Sequence, residues 1–557
     1  MIEKYLKRCD FSSYDDMKKN YEFAIPENFN FGFDVVDVWA DSEPNKMALV
    51  WANPEGEEKF FTFNDMKDMS NQTVNFLKSL GVKRGDVIML VLKRRWEYWV
   101  ISVACHKLGA IIVPVNHLMK KKDFSYRINK AGVSNVICVN EEMAIAELDD
   151  AIKSDCPQVK NKIVVAGKRD GWLNFDEEIE NQNKIFERPT GKDITKNEDT
   201  MLIYYTSGTT GMPKIVPHDF LYPIGHITTA SYWQCVENNG LHLTVADTGW
   251  AKTGWGKIYG QWMGGTANFV YDYDRFDAHE ILSLISKYKL TTFCAPPTIY
   301  RFFIKEDLSK YDFSSLSHCC TAGEALHSEV FNAFERATGH KIYEGFGQSE
   351  TTVLLATFPG VEPKPGSMGK PSPIYDIRLI DDNFNEVEVG EEGHLVIKYD
   401  ENYPTGLFKG YLYDLDDQED RFKNGYYFTG DMAWKDEFGY FWFVGRSDDL
   451  IKTSGYRVGP FEIESVLMEH ASVVECAITG APDPIRGQIV KATIVLASGY
   501  TASEKLAEEL KEYVRVNTAP YKYPRIIEFV DELPKTFSGK IRRMVIRNED
   551  NKDSNPN

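Results

Sequence analysis

The stretch MLIYYTSGTTGMPK, residues 201–214, decides how the rest of the chain is read. Its first five residues are apolar or aromatic, as a buried strand of a parallel sheet requires. Thr206, Ser207, Gly208, Thr209, Thr210, Gly211, Met212, Pro213 and Lys214 follow directly. Glycines let a backbone approach an anion closely, and small hydroxyl residues add O–H donors to the N–H groups. Lys214 closes the loop with a positive charge. A strand that runs into such a loop is a candidate triphosphate cradle. It is not a Walker A loop, because Pro213 precedes the lysine and no Gly-Lys-Ser/Thr follows. A short Gly/Thr turn alone would be an ordinary flexible loop; nine such residues behind a strand carry more.

Outward from this loop, strand and helix signals alternate. Upstream, residues 62–80 place Met66, Met69, Phe76, Leu77 and Leu80 near one helical face, and Gly81 supplies a C-terminal cap. VIMLVL at 87–92 reads as a buried strand, 96–108 as a helix, GAIIVPVN at 109–116 and SNVICV at 134–139 as further strands. This is βαβ alternation. Residues 168–200 are polar and read as a surface excursion. Downstream, a helix is expected near 279–288, a strand at 291–295 and a helix near 326–338. From about 375 the pattern turns to short strands: YDIRLI, EEGHLVIK, NGYYFTGD, GYFWFVGR. A composition break at GRSDDLIK, 445–452, precedes a unit of about 110 residues with helices at 460–470 and 503–516 and strands near 473–479, 490–496 and 526–530. The expected fold is α/β. A large domain, 1–447, holds βαβ-type layered subdomains and a β-rich subdomain; a small α+β domain, 448–557, follows. The last nine residues, EDNKDSNPN, read as disordered.

Composition narrows the function. The chain has 557 residues, 43% hydrophobic, with 33 Phe, 29 Tyr and 11 Trp, ample for a large core. Asp and Glu number 83 against 64 Lys and Arg, a formal net charge of −19. Such a chain repels nucleic-acid backbones and anionic membranes, while leaving room for a local site for a small anion. Nine cysteines with no CxxC pair argue against a disulfide framework and a zinc ribbon. No window approaches the ~20 apolar residues of a membrane span. The opening MIEKYLKRCDFSS has no apolar signal core, so a cytoplasmic setting is expected.

Further motifs occur in order: Gly345-Phe346-Gly347-Gln348-Ser349-Glu350, Tyr427-Phe428-Thr429-Gly430-Asp431, Gly445-Arg446-Ser447-Asp448-Asp449 and Pro534-Lys535-Thr536-Phe537-Ser538-Gly539-Lys540. With the loop at 206–214 they resemble the adenylate-forming enzymes, which include acyl-CoA synthetases, luciferases and peptide-synthetase adenylation domains. The resemblance implies ATP, Mg²⁺ and CoA as ligands and a two-step reaction. Glu350 would be a hard oxygen ligand for Mg²⁺. Gln348 and Ser349 belong to the same nucleotide motif, Ser349 keeping the hydroxyl of the family's more usual Thr. Phe346 stands for the more usual Tyr and can flank adenine without that hydroxyl. Glu344, Gly345 and Glu324 lie on the implied adenine side. Asp431 would accept both ribose hydroxyls and Arg446 would donate to the ribose. Lys540 would stabilise negative charge while a carboxylate attacks the α-phosphate. Asp448 matches a hinge about which the small domain turns between half-reactions. Arg457 would serve ATP; Ser454, Gly455 and Tyr456 would line the thiol channel. Arg486 and Arg515 are candidates for the CoA phosphates, although lone arginines are more often simply solvated.

Within that family, ADTGWAKTGWGKIYGQWMGG at 246–265, SGYRVGPFEIESVLMEH at 454–470 and TAPYKYPRIIEFVDELPKT at 518–536 resemble medium-chain acyl-CoA synthetases. Trp250, Trp255, Tyr259 and Trp262 are candidate acyl-pocket walls, with core packing the competing reading of each. The resemblance implies that acetate-activating relatives carry Trp where Gly347 stands, so Gly347 is expected to leave the pocket open to a medium-chain, branched or aromatic acid. An aryl-acid ligase and an adenylation-only enzyme remain alternatives. Amino-acid activation would need a carboxylate for the substrate ammonium, and Trp250–Trp255 offers none.

Overall fold

The computed structural model describes residues 1–206, 212–324, 326–400, 403–413, 415–453, 456–483, 486–519, 522–535 and 540–553, with backbone alone at 415–417, 456–457 and 551–553. Three sheets organise them. The first has the order Leu173–Asn174, Asn161–Val165, Asn135–Val139, Val87–Val91, Ile111–Pro114, Thr200–Thr206, Lys214–Asp219. Its pairs are parallel except the last, a hairpin in which Thr206 faces Lys214. Thr206 and Lys214, which flank the Gly/Thr segment, thus face each other at the carboxyl end of a parallel strand. Ile88, Met89, Leu90 and Val91 are all buried, which is why that strand is apolar without alternation.

The second sheet starts at the edge strand Glu58–Thr62. That strand pairs antiparallel with Met47–Ala52, and the sheet then runs in parallel pairs through Ala267–Tyr271, Leu241–Thr244, Thr292–Ala295, His318–Ala322 and Ile342–Phe346. There the sense reverses. Gly345 pairs antiparallel with Ala356, and the sheet continues into the β-rich part: Ser367–Pro371, Phe441–Arg446, Tyr426–Lys435, Gly393–Lys398 and Asp376–Ile380. A change of strand sense leaves a crevice at the strand ends, the usual place for a ligand in open α/β sheets. Between the two sheets lie the helices Phe63–Ser79 and Glu97–Leu108. The first starts in a capping box made by Thr62 and Asp65. The second is buried at every residue and ends on Gly109 at φ 77°.

The third sheet is small: Tyr456–Val458, Ile451–Thr453, Gly487–Leu496, Val473–Asp483 and Ile526–Phe529, packed with the helices Pro460–Met468, Glu504–Asn517 and Arg543–Asp553. The molecule is therefore α/β, a large sheet-layered body followed by a small α+β unit.

One expectation gains detail and one fails. The polar excursion at 168–200 lies mostly at the surface but holds a helix, Phe175–Glu180, with Phe175 and Ile179 buried. Gln72 Nε2 donates to the Ile179 carbonyl (3.0 Å) and Asn71 Nδ2 to that of Lys184 (2.9 Å). A polar patch on the neighbouring helix satisfies this segment's backbone, so no apolar period announces it. Residues 549–553 are not disordered. They end the helix Arg543–Asp553, and buried Lys491 reaches both Asp550 and Glu528. Residues 554–557 lie outside the described residues.

Candidate active site

At the switch point the motif residues meet on a frame of hydrogen bonds. Gln348 Nε2 donates to the Thr429 carbonyl (2.8 Å) and to Asp431 Oδ2 (2.6 Å), while the Tyr427 hydroxyl donates to Gln348 Oε1 (3.0 Å). These contacts fix which way the amide faces. Asp431 is 4% exposed and sits opposite Arg446 in the strand register, 3.7 Å away as an ion pair. Burial pushes the Asp431 carboxyl up, and Arg446, Arg421 and Lys540 pull against it. Arg446 also donates from Nε to Asp448 Oδ1 (3.3 Å), linking the last strand of the large sheet to the residue expected as hinge.

Glu350 is also buried. Its Oε1 accepts from the Tyr411 hydroxyl (2.7 Å), and Lys214 lies 5.2 Å from the centre of the Tyr411 ring. Tyr411 therefore bridges the end of the Gly/Thr hairpin and the acidic motif. His218 donates from Nε2 to the Ser349 carbonyl (2.6 Å). Burial lowers its pKa to about 4, so it is a neutral imidazole with its proton fixed on Nε2 by that carbonyl. Neither Tyr411 nor His218 is in a recognisable motif. Each is found only because the fold brings it to Glu350 or Ser349.

The adenine-side residues divide. The Phe346 ring lies 6.3 Å from Phe443, which lies 5.9 Å from Phe461 on the small unit. Glu324 accepts from the Thr298 hydroxyl (3.1 Å) and lies 3.6 Å from Arg301. Glu344 turns inward: its carboxyl accepts from the backbone N–H of Leu326 (3.0 Å) and Gly366 (3.2 Å). Burial raises its pKa to about 8.

The acyl side is built by packing on glycine. A Cβ on Gly347 would lie 2.7 Å from both Trp255 Cζ2 and the Thr352 carbonyl oxygen; one on Gly345 would come within 3.0 Å of Trp233 Cδ2. Two indoles thus pack against the glycines at the end of this strand and the turn after it. They meet edge to face, centroids 6.1 Å apart. Trp255, itself a candidate pocket wall, packs directly against Gly347. Tyr259 directs its hydroxyl to His106 Nε2 (3.1 Å), and Trp262 donates to the Ala48 carbonyl within the core. Trp250 opens the turn into the helix Lys252–Gly256 and is half-buried. Trp233 and Lys252 were not singled out by sequence. Lys252 is enclosed and donates to the Ala322 carbonyl (2.8 Å).

Lys540 is exposed on the small unit, and its positive charge is felt by Asp431, whose carboxyl pKa it lowers, and by Lys252, whose pKa burial already depresses. Residues 36–412 match the AMP-binding enzyme family, and residues 462–540 match the AMP-binding enzyme C-terminal domain.

The chain belongs to the AMP-binding enzyme family. It is 39% identical over 551 residues to the Homo sapiens protein named Acyl-coenzyme A synthetase ACSM3, mitochondrial, covering 97% of this chain and 93% of that one. It is 41% identical over 539 residues to the human protein named Acyl-coenzyme A synthetase ACSM5, mitochondrial, covering 94% and 91%. Among solved structures it resembles the anthranilate CoA ligase AuaEII in complex with anthranoyl-AMP, with a TM-score of 0.86 at 30% identity over 95% of this chain and 99% of that one. A benzoate CoA ligase from Burkholderia xenovorans LB400 gives 0.80 at 26% over 93% and 100%.

Several candidates of this AMP-binding enzyme stand elsewhere. Ser207, Gly208, Thr209, Thr210, Gly211, Ser454 and Gly455 lie outside the described residues. Tyr456 and Arg457 are seen as backbone of the strand Tyr456–Val458. Arg515 is exposed and pairs with Glu512 one turn earlier on its own helix (2.7 Å). Arg486 is exposed and caps a turn through its N–H to Asp483 Oδ1 (2.7 Å). Among the described residues no helix is long and apolar enough to cross a membrane, and no group of three or more His, Cys, Asp or Glu side chains is arranged to hold a metal.

Proposed function

We propose that this chain is an AMP-forming acyl-CoA synthetase. It would join a carboxylic acid to ATP, releasing pyrophosphate, and pass the acyl group from the acyl-adenylate to CoA, releasing AMP. The observation that carries the reading is the meeting of the motif residues Gln348, Asp431 and Arg446 where the large sheet changes sense, with Glu350 and Lys214 joined through Tyr411. The relatives' names point the same way. In the first half-reaction Lys540 and Lys214 would offset charge as carboxylate and triphosphate approach. Asp431 and Arg446 would hold the ribose, with Gln348 fixing the carboxylate. Glu350 is a hard oxygen donor with Oε1 taken by Tyr411, and its other oxygen would hold Mg²⁺, which when bound neutralises phosphate charge.

The small domain, 448–557, would carry Lys540 to the crevice for the adenylating step, with Arg457 serving ATP, and would turn about Asp448 for the thioester step, bringing Ser454, Gly455, Tyr456, Arg486 and Arg515 to CoA. The acid is a medium-chain, branched or aromatic one. The setting is a reducing compartment, read as cytoplasm from the cysteines, with the mitochondrion the alternative that the relatives' names raise; fractionation of expressing cells separates the two.

The deciding experiment supplies ATP, Mg²⁺ and a panel of acids, with and without CoA. CoA-dependent AMP production with acyl-CoA as product supports the proposal. Pyrophosphate release that ignores CoA marks an adenylation-only enzyme, and no release from any acid overturns the reading.

A further inference from the structure

The helix Lys121–Ala131 belongs to none of the motif stretches, yet it holds both ends of the Gly/Thr segment. Its Phe124 and Ile128 are buried in the apolar cluster that also takes Ile203 and Ile215, one from each strand of the hairpin Thr200–Thr206 and Lys214–Asp219. That packing sets Tyr126 and Arg127 beside the strand ends. The Tyr126 hydroxyl donates to the Pro213 carbonyl (2.9 Å). Its ring meets Tyr205 edge to face, centroids 6.4 Å apart. The Tyr205 hydroxyl donates back to the Arg127 carbonyl (2.9 Å), and the buried Arg127 guanidinium lies 5.1 Å from the centre of the Tyr205 ring. Tyr205 immediately precedes Thr206, and Pro213 immediately precedes Lys214.

Lys214 is the cation assigned above to the triphosphate. Its ammonium lies 5.2 Å from the centre of the Tyr411 ring, the Tyr411 hydroxyl donates to Glu350, and the Leu412 N–H donates to the Ile215 carbonyl (3.3 Å). Residues 411 and 412 therefore meet Lys214 and the residue after it, while Tyr126 meets the peptide before it. The Pro213 carbonyl and the Lys214 N–H share one planar peptide unit, so a hydrogen bond to that oxygen fixes the orientation of both. A charge that must stabilise another charge acts at full strength only when its supports hold it in place beforehand. The rest of the nucleotide is served elsewhere: Asp431 and Arg446 sit in the second sheet, where Asp431 is tied to Gln348.

Resting on the acyl-CoA synthetase reading, we propose that Tyr126 is a positioning residue for the triphosphate of ATP. Its hydroxyl holds the Pro213–Lys214 peptide, so that Lys214 is set for the phosphates before ATP arrives. Tyr126 touches no reacting atom. The role belongs to the hydroxyl rather than to the ring, whose contact is with Tyr205. It is also selective within the nucleotide. ATP carries the phosphates that Lys214 meets and should feel the loss of the hydroxyl. AMP, held through its ribose by Asp431 and Arg446, should not.

Tyr126→Phe keeps the ring and removes only the hydroxyl. Titration calorimetry on the full chain, with Mg²⁺ present, gives dissociation constants for ATP and for AMP. The expected result is ATP binding weakened about three- to tenfold, the scale of one hydrogen bond, with AMP changed by less than about twofold. Acid-dependent exchange of labelled pyrophosphate into ATP should show the same rise in KM for ATP, with KM for the acid unmoved. Thioester formation from supplied acyl-adenylate, which uses no triphosphate, should be unchanged. An ATP constant that does not move overturns the proposal. Equal weakening of ATP and AMP, or a variant that does not fold, also overturns it, since either assigns the hydroxyl to the fold instead. If no acid supports exchange, the synthetase reading falls, and the two dissociation constants still decide the proposal. An unmodified chain that binds no ATP ends both.

Discussion

The nucleotide side and the acyl side of the crevice share the strand Ile342–Phe346 and the turn after it, yet they are built on opposite principles. Gln348, Asp431, Thr429 and Tyr427 satisfy one another in a closed hydrogen-bond set, and Glu350 is likewise held by Tyr411. Across the strand, Trp233 and Trp255 are held by close packing on two glycines. A satisfied polar network defines one geometry and suits a ligand whose shape never changes. Packed rings suit a ligand that differs from one relative to the next.

The largest effect that tests this contrast is on Lys540, whose charge is felt on both sides. Lys540→Ala should slow acyl-adenylate formation by about 10²–10³-fold, the scale of losing one charge-stabilising donor. Thioester formation from supplied acyl-adenylate should change far less. Rapid-quench measurement of each half-reaction checks this, and equal losses would remove the special place given to the lysine. Next in size is Gly347→Trp. The new side chain must displace Trp255, at about 1–3 kcal/mol of overpacking, so the melting temperature should fall. Adding Trp255→Ala should recover the melting temperature and shift preference toward acetate or propionate. If Gly347→Trp alone leaves both stability and acid preference intact, the close packing assigned to this side is wrong.

At the polar network, Gln348→Ala removes all three bonds of the amide and leaves Asp431 one partner poorer. Its KM for ATP should rise by about tenfold, with KM for the acid nearly unchanged. A rise in both would blur the division between the sides. The smallest effect belongs to Glu344. Burial raises its folded pKa from the ordinary carboxylate range to about 8, so between those values the folded state keeps a proton that the unfolded chain has lost. The stability it contributes is present at acid pH and declines as pH rises through about 8. Melting temperature against pH should therefore fall less steeply for Glu344→Gln, which mimics the protonated acid; parallel curves would show that the carboxyl ionises normally.

The two sides also differed in how far they could be read beforehand. Asp431, Arg446, Gln348 and Glu350 were named from short motifs, and the fold brings them together, because a polar network needs particular residue types at fixed spacing. Tyr411 and His218 escaped notice because a single tyrosine or histidine has no spacing to betray it. On the acyl side, four aromatics looked alike. Trp255 meets Gly347, whereas Tyr259 and Trp262 turn to His106 and Ala48, a choice made by helix rotation that sequence periodicity does not encode. The helix Phe175–Glu180 was missed because the partners that satisfy its surroundings are polar side chains of a distant helix.

The sequence by itself determined the class of the fold, the order of its strands and helices, the family and the motif residues that meet where the large sheet changes sense. Those follow from local periodicity and from chemistry that tolerates few substitutes. Only the tertiary structure decided that Trp255 packs directly against Gly347, that Glu344 faces backbone N–H groups, and that the Tyr126 hydroxyl meets the Pro213 carbonyl. Each depends on which surfaces meet across the sheets, and packing between segments distant in sequence leaves no local trace in the chain.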